Sequence, residues 1–83
     1  MTVAQQAWQD ARARGERRVA RAALETYVEL LRPRAEADPK AYGPALVEAL
    51  EELSSARLRG GDLFGSRAPA REAKALARTL RSG

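Results

Sequence analysis

Eighteen alanines, scattered among leucine, arginine and glutamate, constrain this chain more than any other feature. These four residue types are the strongest helix formers. Their apolar members recur at intervals of three and four, and no run alternates over the length of a strand. Helices of this composition pack closely but form a thin core, because a methyl group buries little area. The larger apolar side chains are few: one Trp, one Phe, two Tyr, one Met and a limited set of Leu and Val. A chain of 83 residues is one domain at most. A core this light barely offsets the entropy of ordering it, so the chain is expected to pair with itself, as a homodimer, or with another protein.

The punctuation of the sequence predicts four helical segments within a single domain over residues 1–83. Thr2 caps a helix over 3–14 whose apolar stripe is Val3, Ala7 and Ala11, with Trp8 alongside, and Gly15 breaks it. A second helix over 16–37 carries Val19, Ala22, Ala23, Tyr27, Leu30, Leu31 and Ala35. Pro33 falls inside it, removing an amide donor and crowding the carbonyl of Glu29. Good helix formers follow, so the expectation is a continuous helix kinked at Pro33. Asp38-Pro39 is a capping carboxylate followed by proline at the first helical position. Pro44 disfavours helical geometry at Gly43, so the third helix is expected to start at 39 or, after an irregular turn, at 44, and to end at 59. Its inward residues are Leu46, Ala49, Leu50, Leu53 and Ala56, and Gly60-Gly61 closes it. Asp62 to Ser66 is expected to form a loop with Leu63 and Phe64 folded back onto the helices. Ser66 then caps a fourth helix over 67–80, with Pro69 in its first turn and Ala73, Leu76, Ala77 and Leu80 inward. Ser82-Gly83 is expected to fray. The fold class is all-α: a small bundle of three to four helices.

Two stretches carry a family likeness. Ala22-Ala23-Leu24-Glu25-Thr26-Tyr27-Val28-Glu29-Leu30-Leu31 leads to Ala35-Glu36-Ala37-Asp38-Pro39, and Tyr42-Gly43-Pro44-Ala45-Leu46-Val47-Glu48-Ala49-Leu50-Glu51-Glu52-Leu53-Ser54 follows. With the Gly60-Gly61 turn and Arg71-Glu72-Ala73-Lys74-Ala75-Leu76, this resembles tetratricopeptide repeats, in particular the long-repeat type of high-GC bacteria, over residues 19–80. The resemblance implies antiparallel helical hairpins and a role in protein–protein interaction.

The chain contains no His and no Cys. It therefore lacks an imidazole base near neutral pH, a thiol nucleophile, a Cys/His metal cage and any disulfide. Glu48, Glu51 and Glu52 form the densest acidic group, and Glu48 and Glu52 lie one turn apart, a spacing that suits Mg²⁺ or an acid/base pair. The simpler reading is a solvated face opposite Leu46, Leu50 and Leu53, since no further carboxylate motif joins them. Gly60-Gly61-Asp62-Leu63-Phe64-Gly65-Ser66 lacks the Gly-Lys-Ser/Thr ending of a phosphate loop and reads as a helix stop and turn. Ser54, Ser55 and Ser66 have no base beside them, and Tyr27 reads as a core or hairpin residue. No catalytic residue, metal or cofactor is expected.

Charge is distributed unevenly around the net +4. Both ends are basic and the middle, residues 22–56, is acidic. Arg57, Arg59, Arg67, Arg71, Lys74, Arg78 and Arg81 form one basic group, and Arg12, Arg14, Arg17, Arg18 and Arg21 form a second. Within the first, Arg71, Lys74, Arg78 and Arg81 share one helical face as a candidate phosphate-contacting surface. The acidic middle repels a polyanion, and neither a helix-turn-helix pattern nor an aromatic stacking platform accompanies these residues. Nucleic-acid binding is thus the alternative to a non-catalytic protein-interaction or self-assembly role, in which basic ends meet acidic middles of a second copy. Trp8 reads first as packing over Tyr27 and Leu31 within the chain and, as the sharper option, as an anchor at a dimer or partner surface. Trp8, Tyr27, Leu63 and Phe64 are the candidate interface residues. No segment approaches the roughly 20 apolar residues of a membrane span, and Met1 to Gln6 lack the pattern of a secretory signal. A cytoplasmic protein is expected.

Overall fold

A computed structural model of the chain describes residues 2–82. Four helices follow one another: α1 (Thr2–Ala13), α2 (Arg17–Ala37), α3 (Pro39–Arg59) and α4 (Leu63–Ser82). The expected Thr2 side-chain cap and the fraying of Gly83 lie outside the described residues. Ser82 is helical rather than frayed, and its hydroxyl donates to the Arg78 carbonyl at 3.0 Å.

The turns explain the boundaries. After α1, Gly15 takes a φ of 72°, its N–H donates to Arg12 O, and the Glu16 N–H reaches back to Ala11 O at 3.0 Å. After α3 the pattern repeats: Gly61 takes a φ of 84°, donates to Leu58 O, and the Asp62 N–H reaches Arg57 O at 2.9 Å. Both are left-handed glycine stops that satisfy the last carbonyls of a helix. Between α2 and α3 a single residue suffices. Asp38 donates its N–H to Arg34 O, ending α2, while its carboxylate accepts from the Ala41 N–H at 3.2 Å, starting α3.

Of the two expected starts for the third helix the earlier one holds, and the expected start of the fourth is corrected. The third helix begins at Pro39 and runs unbroken through Pro44, because the Asp38 cap organises the turn ahead of it. The fourth begins at Leu63, not 67. The Asp62 carboxylate accepts from the Gly65 N–H at 2.8 Å and starts the helix one turn early. Ser66 is not a cap: it is buried inside α4, and its hydroxyl donates to Leu63 O. Leu63 and Phe64 therefore do not fold back onto the helices. They sit in the first turn of α4 and are exposed.

Pro33 lies within a continuous α2. Both it and Glu29, whose carbonyl it deprives of a donor, are exposed, so water takes the vacant position. Pro69, by contrast, is buried within α4, and its defect is repaired from α3. The Arg57 guanidinium donates to Gly65 O, and the Ser54 hydroxyl to the neighbouring Ser66 O, each at 2.8 Å.

The core combines Trp8 of α1, Leu24, Tyr27, Val28, Leu31 and Ala35 of α2, Leu46, Ala49, Leu50 and Leu53 of α3, and Ala73 of α4. On α3 the expected Leu46, Ala49, Leu50 and Leu53 face inward, and on α4 Ala73 and Leu76 do so, while Ala56 and Ala77 are half-buried outside the core. On α1 and α2 the inward face is rotated. Ala4, Trp8 and Ala11 point in on α1, leaving Val3 85% exposed and Ala7 exposed. On α2, Leu24 and Val28 join the core, while Val19 and Leu30 are 53% and 43% exposed and Ala22 is exposed. Trp8, the largest side chain of α1, takes the enclosed side because it buries the most area, and Leu24 and Val28 lie on the face of α2 that meets it and α3.

Each helix packs on its neighbour in sequence, α1 on α2, α2 on α3 and α3 on α4. Long ion pairs link alternate helices: Arg12 to Glu52 at 3.8 Å joins α1 to α3, and Arg32 to Glu72 at 2.8 Å joins α2 to α4. The result is a slab of 37 × 29 × 16 Å, its short dimension that of two helix layers. Hairpin α1–α2 stands beside hairpin α3–α4. Buried Gly43 near the start of α3 faces Leu80 near the end of α4, where an added Cβ would lie 2.8 Å from the Leu80 Cδ2.

Candidate functional site

Both glycine turns lie at one end of the slab, and a cleft of about 330 Å³ opens there between α1, α2 and the end of α3. Its lining includes apolar Trp8, Ala20, Leu24 and Ala56. Trp8 and Leu24 are themselves core residues. Trp8 is held by Tyr27, which stacks on it with centroids 6.1 Å apart and planes 25° apart. The Arg12 guanidinium lies over the outer side of the Trp8 ring, 5.7 Å from its centroid.

The rim is cationic. Arg12, Arg17, Arg18, Arg21 and Arg59 line the cleft, against Glu16 and Glu52. Arg12 is paired with Glu52 and Arg21 with Glu25, at 3.8 and 3.4 Å. Among the described residues, Arg17, Arg18 and Arg59 make no ion pair. Arg12 and Arg59 also lie in the last turns of α1 and α3, where a cation complements the helix dipole. A shallow apolar floor ringed by guanidiniums suits a ligand with an apolar body and one or more carboxylates or phosphates, since each guanidinium can hold an oxyanion with two parallel bonds.

The structure gathers Arg12, Arg17, Arg18 and Arg21 of the expected amino-terminal basic group, while Arg14 pairs with Glu16 at 3.8 Å. It adds Arg59, Glu52 and Ala56, which the sequence places far away. The signal for these was present in the matching stops at Gly15 and Gly60-Gly61, which put the ends of α1 and α3 side by side. Arg71, Lys74, Arg78 and Arg81 are all exposed along α4. They lie outside the cleft.

Of the four candidate interface residues, Trp8 and Tyr27 pack within the chain, the first expectation for each, and their place at an interface between chains is corrected. They are 6% and 5% exposed and stack within the chain, because they provide the largest area available to a light core. Leu63 and Phe64 are 57% and 81% exposed, with the Arg67 guanidinium 5.3 Å from the Phe64 ring centre. The Glu48, Glu51 and Glu52 group does not converge. Glu52 reaches Arg12, and Glu48 is close enough to Tyr27 to add to the effect of burial, which raises the phenol above its ordinary value. Among the described residues no three His, Cys, Asp or Glu side chains gather as a metal site, and no helix is long and apolar enough to cross a membrane. Comparison with family models, curated proteins and solved structures finds no match for the chain.

Proposed function

We propose that the chain is a non-catalytic protein-interaction module that holds a short acidic segment of a partner in the arginine-rimmed cleft. The observation that carries this reading is the placement of Arg17, Arg18 and Arg59 around the Trp8 and Leu24 floor. A volume of about 330 Å³ is at the small end for ligand pockets, which run from about 300 to 1,000 Å³. It fits one apolar side chain with carboxylates on either side, not a globular surface. The two hairpins also suit the tetratricopeptide-like reading of the sequence. The absence of cysteine from the chain suits a reducing cytoplasm.

A labelled peptide with leucine or phenylalanine between glutamates tests the proposal. Binding is expected to weaken about tenfold or more on Arg18→Glu or Arg59→Glu. Equal affinity for wild type and both variants would overturn it.

Nucleic-acid binding is the second reading, favoured by the exposed row Arg71, Lys74, Arg78 and Arg81 on α4. Titration of labelled DNA and RNA at two salt concentrations separates the two. Binding through phosphates falls by orders of magnitude over a fourfold rise in salt, and is lost on charge reversal at Lys74 and Arg78 but not at Arg18.

A further inference from the structure

α2 is apolar around far more of its circumference than a helix with one covered side requires. Leu24, Tyr27, Val28 and Leu31 face the core, yet Val19, Thr26 and Leu30 form a second, exposed stripe, with half-buried Ala23 at its border with the core. The Thr26 hydroxyl is turned back to Ala22 O at 3.1 Å, leaving its methyl outward. The ion pairs fix which way this stripe points. Arg12 and Arg32 mark the flanks of α1 and α2 that face the second hairpin. At about 100° per residue, Val3 and Ala7 stand on the opposite flank of α1, and Val19, Ala23 and Leu30 on the opposite flank of α2. The first hairpin therefore has an apolar outer edge.

The second hairpin shows what such an edge is for. Both hairpins turn on the same glycine stop, so the chain can be aligned on itself with Gly15 over Gly61. That register sets Val3, Ala7, Ala23 and Leu30 over Ala49, Leu53, Pro69 and Leu76. Ala49 and Leu53 belong to the core, Leu76 packs against it and Pro69 is buried. Val3 and Ala7 on the outer edge of hairpin one thus match Ala49 and Leu53, core residues of the helix by which hairpin two packs on α2, while Pro69 is buried against α3 of its own hairpin. The same register sets Trp8, Leu24, Tyr27, Val28 and Leu31, all core residues on the hairpin that receives it, over Ser54, Ala70, Ala73, Lys74 and Ala77. All five of these line a groove of about 310 Å³ on the open side of α3 and α4. The groove occupies, on hairpin two, the position of the side by which hairpin one receives its neighbour, and is lined by smaller residues.

We propose that this groove takes the α1–α2 outer edge of a second copy, so that the protein stacks head to tail. Neither edge is of one sign. Asp10 and Arg14 flank Val3 and Ala7, and Glu51 and Lys74 flank the groove, so no block of like charge opposes the contact. The contact is heterologous: each copy uses two different surfaces, and assembly continues past the dimer unless the stack closes. It is independent of the arginine-rimmed cleft, which lies within one copy.

Light scattering after size-exclusion chromatography, from micromolar to millimolar protein, tests the proposal. Wild type is expected to grow beyond a dimer as concentration rises. Leu30→Glu, on the outer edge, and Ala77→Glu, in the groove, are each expected to weaken association about tenfold or more and to run as monomers. Mixed in equal amounts they are expected to form a dimer and stop there, because each retains the surface that the other has lost. Circular dichroism checks folding, and Ser55→Arg, at an exposed position on the groove, replaces Ala77→Glu if helicity is lost. A wild type that stays monomeric at all concentrations, a mass that stops at a dimer, or a mixture that stays monomeric would overturn the proposal.

Discussion

Arg57 of α3 donates a 2.8 Å hydrogen bond to the carbonyl of Gly65 in α4, the acceptor that Pro69 leaves without its helical donor. A proline in a helix interior removes the bond to the residue four positions earlier and crowds the carbonyls around it. In α2 the same defect faces water at Pro33. In α4 it faces α3, where an unpaired carbonyl is costly; Arg57 supplies the missing donor, and Ser54 donates to the neighbouring Ser66 carbonyl. Arg57 is therefore a structural cation. Its Nε is buried without a partner, so the residue does not belong to the exposed basic surface its sequence position suggests.

Arg57→Ala is expected to destabilise the fold by about 1–3 kcal/mol, since it leaves the Gly65 carbonyl unsatisfied. Pro69→Ala restores the missing N–H, so the arginine substitution is expected to cost less in that background. Urea unfolding of the two single variants and the double variant measures the coupling, expected at about 0.5–3 kcal/mol. Strict additivity would show that the guanidinium is not compensating for the proline.

The sequence reads correctly as an all-α bundle because alanine and leucine at helical spacing leave no competing pattern, and Asp38-Pro39 and the two glycine turns are local signals. The rotation of α1 and α2 was not legible. Both helices carry two apolar stripes, and periodicity alone does not say which of them meets the rest of the chain. Trp8 decided it on α1 through size, against Val3, and on α2 Leu24 and Val28 lie on the face that meets it and α3. The early start of α4 was missed because Asp62 and Ser66 are both good caps, and only tertiary packing shows that Ser66 is enclosed. The basic half of the cleft was visible as a run of arginines. Arg59 was visible only as part of the other basic group, and Ala56 only as an inward residue of α3. The matching stops at Gly15 and Gly60-Gly61 hint at their place in the cleft, and hairpin pairing is what brings them there.

Gly60 and Gly61 are adjacent but not equivalent. Gly61 has a φ of 84°, whereas Gly60 sits at −80° with its nearest contacts to an added Cβ at 3.5 Å. Gly61→Ala is expected to cost about 1–2 kcal/mol because an L side chain disfavours the left-handed region. Gly60→Ala is expected to be close to neutral. Thermal unfolding of both variants checks the contrast, and equal losses would contradict the turn geometry.

Burial, aided by the nearby Glu48 carboxylate, holds the Tyr27 phenol above its usual value. The folded state therefore keeps this proton more tightly than the unfolded chain does. Stability from this source is fully present below the unfolded tyrosine pKa of about 10 and is lost as pH rises through the higher folded value. Tyr27→Phe is expected to flatten the alkaline fall in stability, and Glu48→Gln, which brings the folded value closer to the unfolded one, to make it smaller. Denaturant midpoints between neutral and alkaline pH give the profile. An unchanged profile in Tyr27→Phe would place the alkaline sensitivity elsewhere.

Pro33→Ala distinguishes a tolerated defect from a required bend. A proline interior to a helix is about 3 kcal/mol less favourable than alanine. Part of that is already recovered, because the exposed Glu29 carbonyl is open to water, and proline also lowers the entropy of the unfolded chain by about 1 kcal/mol. A net stabilisation of about 1–2 kcal/mol is therefore expected for Pro33→Ala, with higher helicity. The helix is already continuous on both sides of Pro33, and the residues that anchor α2 nearby, Leu31 and Ala35, are in the core, so their packing should survive. Equilibrium unfolding with far-ultraviolet circular dichroism measures both quantities. Destabilisation would mean that the chain needs the bend itself, and that Leu31 and Ala35 reach α3 only because Pro33 turns the last part of α2 toward it.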